Sequence, residues 1–241
     1  MAYIRTFLVY FYAAVVLVCC RPFLWYVNLI IKKDYHKGMK KLNRFASAFA
    51  KNILTLTGST FEFKGQDLVP QGTSVLFVGN HQSNFDIVAL LAASPKPLGF
   101  ITKEEIKKIP ALSTWATGIG SKYIPREETK KTLEVVIETI KFLKTHNHGM
   151  LVFPEGTRSI DGKVGSFKPG SLKIATKSGA VLVPFAVQGT RNIMRKGSKI
   201  LYPTHITVEF LAPYSPEQLK TMNTVELAKE IEETVRMKVS A

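Results

Sequence analysis

The chain is poor in cysteine, poor in acidic residues and without several short signatures that would mark common activities. Its two cysteines, Cys19 and Cys20, are adjacent inside an apolar run. They cannot staple a small secreted module, and with no CxxC pair or clustered histidines they do not begin a zinc site, so no metal is expected. No G-x-S-x-G turn is present, which removes the usual elbow of a serine hydrolase. Ser83 and Ser159 are left as nucleophiles for the less favoured reading of a membrane-associated lipid hydrolase. Acidic residues number 18 against 33 Lys and Arg, a formal charge of +15. That excess suits an anionic partner: nucleic acid, a phospholipid surface or a phosphorylated substrate. No helix-turn-helix, zinc-finger or RNP pattern accompanies it, so nucleic acid is not expected. A non-enzymatic basic membrane-binding protein is the bland alternative. Charged residues are 21% of the 241 positions and apolar ones 46%, so the chain can bury a core and is not disordered.

From Thr6 to Ile31 the only charge is Arg21, and the run reads as buried in lipid. Phe7 to Cys20 covers roughly 21 Å at about 1.5 Å per residue, short of the roughly 30 Å hydrocarbon core. The longer stretch places Arg21-Pro22 at its middle, where an Arg costs about 2.5–3.5 kcal/mol and Pro breaks or kinks the helix. A segment dipping into one leaflet is therefore expected in preference to a clean span. A signal peptide is disfavoured because no A-x-A site follows. Lys32, Lys33, Lys37, Lys40, Lys41, Arg44 and Lys51, opposed by Asp34 alone, form a polybasic segment suited to anionic headgroups on the cytoplasmic side of the cell membrane. Leu42, Phe45, Phe49, Ile53 and Leu56 recur at three- and four-residue steps. They predict an amphipathic helix, lying either along the interface or packed as an ordinary surface helix on the core. Residues 1–57 are accordingly read as a helical membrane arm and 58–241 as the main domain.

Beyond Gly58 strands and helices alternate. Apolar runs predict strands at Thr60–Lys64, Ser74–Val78, Leu98–Thr102, Lys122–Ile124, Gly149–Phe153, Val181–Val187 and His205–Phe210. Helical spacing marks Asp86–Ala93, Leu133 to Leu143, Leu172–Lys177 and Val225–Val239. Runs such as Val-Leu-Phe-Val are apolar on both faces, as in strands covered by helices on each side. The expected fold class is α/β, a largely parallel sheet flanked by helices and preceded by the N-terminal helical arm. In that architecture ligands gather beyond the carboxyl ends of strands.

Two polar segments leave such strands. Asn80-His81-Gln82-Ser83-Asn84-Phe85-Asp86 follows the second. On a regular helix His81 and Asp86 would face about 140° apart. They can meet if the helix starts between them, with Ser83 as its N-cap. Asp86 would then fix the imidazole tautomer and leave the other nitrogen as general base; the plainer reading makes it a helix-start residue. Phe153-Pro154-Glu155-Gly156-Thr157-Arg158-Ser159 leaves the fifth strand, followed by Phe167-Lys168-Pro169-Gly170. Glu155, Arg158 and Lys168 could clamp a phosphate or hydroxyl, or could form a salt-bridged surface turn. His146 and His148 are read as helix-end residues, Trp25 and Tyr26 as interfacial anchors, and Trp115 as core.

Together and in this order, the two segments resemble the glycerolipid acyltransferase family, including its bacterial 1-acylglycerol-3-phosphate acyltransferases. Asn80-His81-x-Ser83-x-x-Asp86 matches the NHxxxxD block and Phe153 to Ser159 the third block. Gly120 to Arg126, with Pro125 at the variable position, resembles the second, and Val181-Leu182-Val183-Pro184-Phe185 the fourth, an apolar strand broken by Pro. The resemblance implies acyl transfer from acyl-CoA or acyl-carrier protein to the sn-2 hydroxyl of 1-acyl-sn-glycerol 3-phosphate, or to another acceptor such as glycerol 3-phosphate. It implies His81 and Asp86 as the catalytic pair, no covalent acyl-enzyme and no cofactor. Arg126, Glu155, Gly156, Thr157, Arg158 and Lys168 are implied as acceptor-binding residues. Within that implication Glu155 orients a hydroxyl or Arg158, since a carboxylate cannot attract phosphate.

Overall fold

A computed structural model describes residues 1–125, 129–159, 161–195 and 197–240. Seven strands form one sheet: β1 (Thr60–Lys64), β2 (Val75–Gly79), β3 (Leu98–Lys103), β4 (Lys122–Ile124), β5 (Gly149–Val152), β6 (Val181–Gln188) and β7 (His205–Phe210), in the order β1-β7-β6-β2-β5-β3-β4. Every pairing is parallel except β6 with β7. The largely parallel α/β class expected from the apolar runs is what forms, with strand limits within a residue or so of the expectation. β6 runs unbroken through Pro184, which pairs with Val78.

Helices cover both faces because alternate side chains of the central strands point to opposite sides. Val75 and Phe77 of β2 and Val183 and Phe185 of β6 enter one core, while Leu76, Val78, Leu182 and Ala186 enter the other. The first core is closed by α1 (Ala2–Cys19), α2 (Arg21–Lys33), α3 (Tyr35–Leu56), α4 (Phe85–Ala93), α5 (Pro110–Gly118) and the short α8 (Thr190–Ile193). The second is closed by α6 (Thr129–Thr145), α7 (Pro169–Ser178), α9 (Pro216–Thr221) and α10 (Thr224–Ser240). β2 is buried at all five positions, so both of its ends open onto connections held by the core.

The N-terminal helices divide where Arg21-Pro22 predicts: α1 ends at Cys19 and Pro22 sits in the first turn of α2. Asp34 caps α3, its Oδ1 accepting from Lys37 N at 3.0 Å. The apolar stripe of α3 faces protein: Leu42, Ala46, Ala50, Ile53 and Leu54 are buried in the first core. Phe45 stacks on Trp115 of α5 with centroids 4.8 Å apart. Of the two readings of this helix, the packed one holds, because α4 offers an apolar face that the stripe can cover. α1 is the one helix among the described residues long and apolar enough, by length and composition, to cross a membrane. It nevertheless lies along the domain. Thr6 Oγ1 accepts from Leu201 N (2.9 Å), Tyr10 Oη donates to Lys199 O (3.2 Å), Asn52 Nδ2 donates to Tyr12 Oη (2.9 Å) and Trp115 Nε1 donates to Leu17 O (2.9 Å).

Candidate active site

Five parallel strands end at one rim, and the connections after β2, β5 and β6 meet there. Asn80 begins the first. Its carboxamide imitates a peptide group at the end of β2, donating from Nδ2 to Val187 O (2.9 Å) and accepting at Oδ1 from Val187 N (2.8 Å). Sheet pairing is thus carried one residue past the strand, and His81 is delivered to the rim in a fixed position.

Helix α4 starts between His81 and Asp86, as the pairing requires. Asp86 is fully buried in the first turn (0% exposed). Its Oδ2 accepts from His81 Nδ1 (2.7 Å), Gln82 N (2.6 Å) and Ser83 N (2.8 Å), and its Oδ1 from the buried hydroxyl of Thr190. Four donors compensate the desolvation of the charge. Ser83 is not the N-cap: the cap position is Asn84, without a side-chain cap bond, and Ser83 Oγ accepts from Phe85 N at 3.2 Å. The Asp86 carboxylate reaches back instead to the amides of Gln82 and Ser83 ahead of the helix, where an ionised acceptor makes stronger bonds than a hydroxyl.

An ionised carboxylate only accepts, so His81 Nδ1 carries the proton and Nε2 presents its lone pair. No group among the described residues bonds Nε2. The ring lies flat on Phe153, centroids 3.9 Å apart and planes at 10°, with its side chain 16% exposed.

The connection after β5 is stitched to the His81 loop through main-chain groups. Glu155 Oε1 accepts from His81 N (2.8 Å), its Oε2 accepts from Gly165 N (3.0 Å), and Ser159 N donates to His81 O (2.8 Å). Glu155 therefore does not orient Arg158. It is a buried brace, 6% exposed, and burial raises its pKa against the lowering pull of the two N–H bonds. Gly156 turns the loop at φ +72°, a conformation side chains resist, and Lys168 Nζ lies 3.0 Å from where its Cβ would stand. Thr157, Arg158 and Lys168 are exposed around that turn. Arg158 makes one long bond, from Nη1 to Asn84 Oδ1 at 3.4 Å, which places the guanidinium beside the His81 connection. Arg126 lies outside the described residues. Lys103, the last residue of β3, is a further exposed cation at this rim that the motif reading missed. Thr190 was missed too, and no local signal marks it.

Neither serine is activated. Ser83 Oγ serves Phe85 N and Ser159 Oγ accepts from Gly162 N at 2.7 Å. Among the described residues no group of three or more His, Cys, Asp or Glu side chains could hold a metal. The arrangement defines a class of protein: an α/β sheet whose rim holds a carboxylate-backed imidazole, with cations on the adjoining connection and, among the described residues, no nucleophile of its own bonded to the base. A family model described as Acyltransferase matches residues 60–188. The chain belongs to the acyltransferase family.

Its relatives carry consistent names. It is similar to a chloroplastic 1-acyl-sn-glycerol-3-phosphate acyltransferase of Arabidopsis thaliana, 32% identical over 66% of this chain and 45% of that one. A 1-acyl-sn-glycerol-3-phosphate acyltransferase of Borreliella burgdorferi is 25% identical over 77% of each chain. The chain spans about half the length of the plant relatives it matches. The crystal structure of the 1-acyl-sn-glycerophosphate acyltransferase PlsC from Thermotoga maritima superposes with a TM-score of 0.87 at 30% identity, covering 99% of this chain and 95% of that one.

Proposed function

We propose that this chain transfers a fatty acyl group from acyl-CoA or acyl-carrier protein to the sn-2 hydroxyl of 1-acyl-sn-glycerol 3-phosphate, giving phosphatidic acid. The observation that carries the reading is the His81–Asp86 pair, with Nε2 unengaged next to the Arg158 connection; the names of the relatives agree with it. His81 Nε2 takes the hydroxyl proton as the acceptor oxygen attacks the thioester carbonyl, and Asp86 holds the resulting imidazolium. The tetrahedral intermediate collapses with cleavage of the C–S bond, and the imidazolium returns the proton to the leaving thiolate. Arg158 and Lys168 hold the acceptor phosphate, with Gly156 allowing close approach and Thr157 beside it. Arg126 joins this clamp on the strength of the family motif. Glu155 acts by bracing the two connections. The donor is the only other reactant, so no cofactor is needed.

The same reading puts the enzyme on the cytoplasmic leaflet. α1 turns Ile4, Phe7, Leu8, Phe11, Val15 and Val18 outward, and α2 adds Trp25, Tyr26 and Leu29. A helix bonded to the domain along its length cannot cross the bilayer unless the domain follows. This supports a dip of about 5–10 Å into one leaflet. The seven Lys and Arg residues from Lys32 to Lys51 are exposed and meet anionic headgroups at about 1 kcal/mol each.

Purified protein in mixed micelles, offered 1-acyl-sn-glycerol 3-phosphate or glycerol 3-phosphate with each donor, tests the chemistry. Phosphatidic acid by mass is expected. Product from glycerol 3-phosphate alone overturns the acceptor, and no product from any thioester overturns the activity. Replacing Phe7, Phe11 and Trp25 by Ser leaves the buried faces intact and should abolish co-sedimentation with anionic vesicles; undiminished binding overturns the membrane face. Deleting the first three helices would not test it, because α3 is part of the core.

A further inference from the structure

The reaction joins two substrates, and the clamp on the β5 side of His81 serves only one. In the sheet order β6-β2-β5, His81 leaves the middle strand. The connection after β6 is therefore the opposite flank of the same base. There a cleft of about 220 Å³ opens between Gln82, Gly162, Gln188, Arg191 and Asn192, with Val239 its one apolar side chain. Gln82 is the chain neighbour of His81, and Arg191 follows Thr190, whose hydroxyl holds Asp86.

The chemistry of this cleft is unlike that of an acyl-chain pocket. Three carboxamides and a guanidinium face it. Gln82 Nε2 makes one weak contact, to Gly162 O at 3.4 Å, and Gln188 Nε2 donates to Lys238 O. Among the described residues the side chains of Arg191 and Asn192 make no hydrogen bond and Arg191 no ion pair. A methyl group on Gly162 would stand 2.7 Å from Arg191 Nη1, so the loop after β5 comes close enough to form the cleft's outer wall. Asp161 stands near enough to feel the guanidinium, but its own bond is from Lys163 N at 3.0 Å and it is fully solvated.

We propose that this cleft is the subsite for the polar arm of the acyl donor: a phosphopantetheine, its phosphate on Arg191 and its amides against Gln82, Gln188 and Asn192. The inference rests on the acyl-transfer reading above and adds where the second substrate lies. A pantetheine arm carries two amides and ends in a phosphate, which matches carboxamides followed by a bidentate cation. It also assigns the two flanks separate tasks: glycerol phosphate on the β5 side, donor on the β6 side, with Nε2 between them. Coenzyme A and carrier protein present the same arm, and the cleft reads what they share.

Arg191→Gln in the full chain, in mixed micelles, tests it against four donors: acyl-CoA, acyl-carrier protein, S-acyl-phosphopantetheine and S-acyl-pantetheine without the phosphate. The three phosphorylated donors should each show a KM raised about tenfold, the scale of one charge-assisted contact. Acceptor KM and kcat at saturation should stay within about twofold, and Arg191→Lys should recover part of the loss. The donor lacking phosphate should not distinguish wild type from variant. An equal rise for that donor, a rise confined to acyl-CoA, or a rise in acceptor KM instead overturns the assignment. Calorimetry with a non-reactive S-alkyl phosphopantetheine gives the same answer without turnover. Weaker binding to the variant supports the subsite and equal binding overturns it, even if the wild-type chain transfers no acyl group.

Discussion

Lys96 and Arg158 occupy opposite rims of the same sheet and are held in opposite ways. Lys96 lies where β2, β3 and β5 begin. It is 3% exposed, and Nζ donates to Pro70 O and Asn147 Oδ1 at 3.1 Å each and to Thr73 O. Burial lowers its pKa to about 8. Beside it His148, fully buried, donates from Nε2 to Ile119 O (3.1 Å) and accepts at Nδ1 from Tyr35 Oη (3.0 Å). At the other rim Arg158 and Lys168 are exposed, and their side chains make one long hydrogen bond among the described residues. A cation whose donors are all matched holds loops together. One with donors unmatched, fixed only through its backbone, is free to meet a ligand. His81 and Asp86 stand between these cases: every contact behind Nε2 is satisfied and Nε2 itself is open.

The contrast predicts that substitutions at the carboxyl rim change kinetics and those at the amino rim change stability. His81→Ala should lower kcat by about 10²–10⁴-fold, the usual contribution of a positioned base, with an unchanged thermal midpoint. Wild-type turnover would remove the base from the mechanism. Arg158→Ala should raise the acceptor KM about tenfold and leave the response to a monoacylglycerol lacking phosphate unchanged; equal loss for both acceptors would show that the guanidinium does not read phosphate. Lys96→Met should cost about 1–3 kcal/mol in denaturant unfolding, since buried carbonyls lose their donor, without altering either KM.

The pH dependence has a definite sign at His148, whose pKa burial lowers from 6.5 to about 3. As pH falls through that window the unfolded chain takes up the proton before the folded one does. This contribution to stability is intact above about 6.5 and fully lost below about 3. His148→Gln should be less stable at pH 7 yet lose less between pH 7 and 4, as read from urea midpoints; parallel losses would locate the acid sensitivity elsewhere. The smallest effect is expected at Thr190→Val: a few-fold lower kcat with unchanged KM values, because the buried Asp86 carboxylate that positions His81 loses one of its donors. Thr190→Ser should restore turnover. Wild-type kcat in the Val variant would make Thr190 a packing residue only.

Much of this organisation is legible along the chain. Continuous apolar runs such as Val75 to Val78 mark strands covered on both faces, and Arg21-Pro22 marks the break between α1 and α2, because both depend on neighbouring residues alone. α8 and α9 are too brief for periodicity to register, and in α5, as long as α4, Ser113, Thr114 and Thr117 interrupt the apolar pattern. The residue type of Glu155 fits a ligand contact as well as a brace, and its position against His81 N and Gly165 N supports the brace. Trp115 lies in the core as its residue type suggests, while its bond to Leu17 O joins residues far apart in the chain and has no local signal.

The amino-acid sequence by itself determined the alternation of strands and helices, the apolar N-terminus and the start of a helix between His81 and Asp86, since each follows from local pattern and backbone stereochemistry. Tertiary structure alone decided that the Asp86 charge is held by Thr190, that Glu155 is a brace, that α3 turns its apolar stripe inward and that a second polar cleft flanks the base. Each of those depends on which groups from distant segments share a low-dielectric space, and the cost of an unmatched charge or hydrogen bond there is set by three-dimensional neighbours.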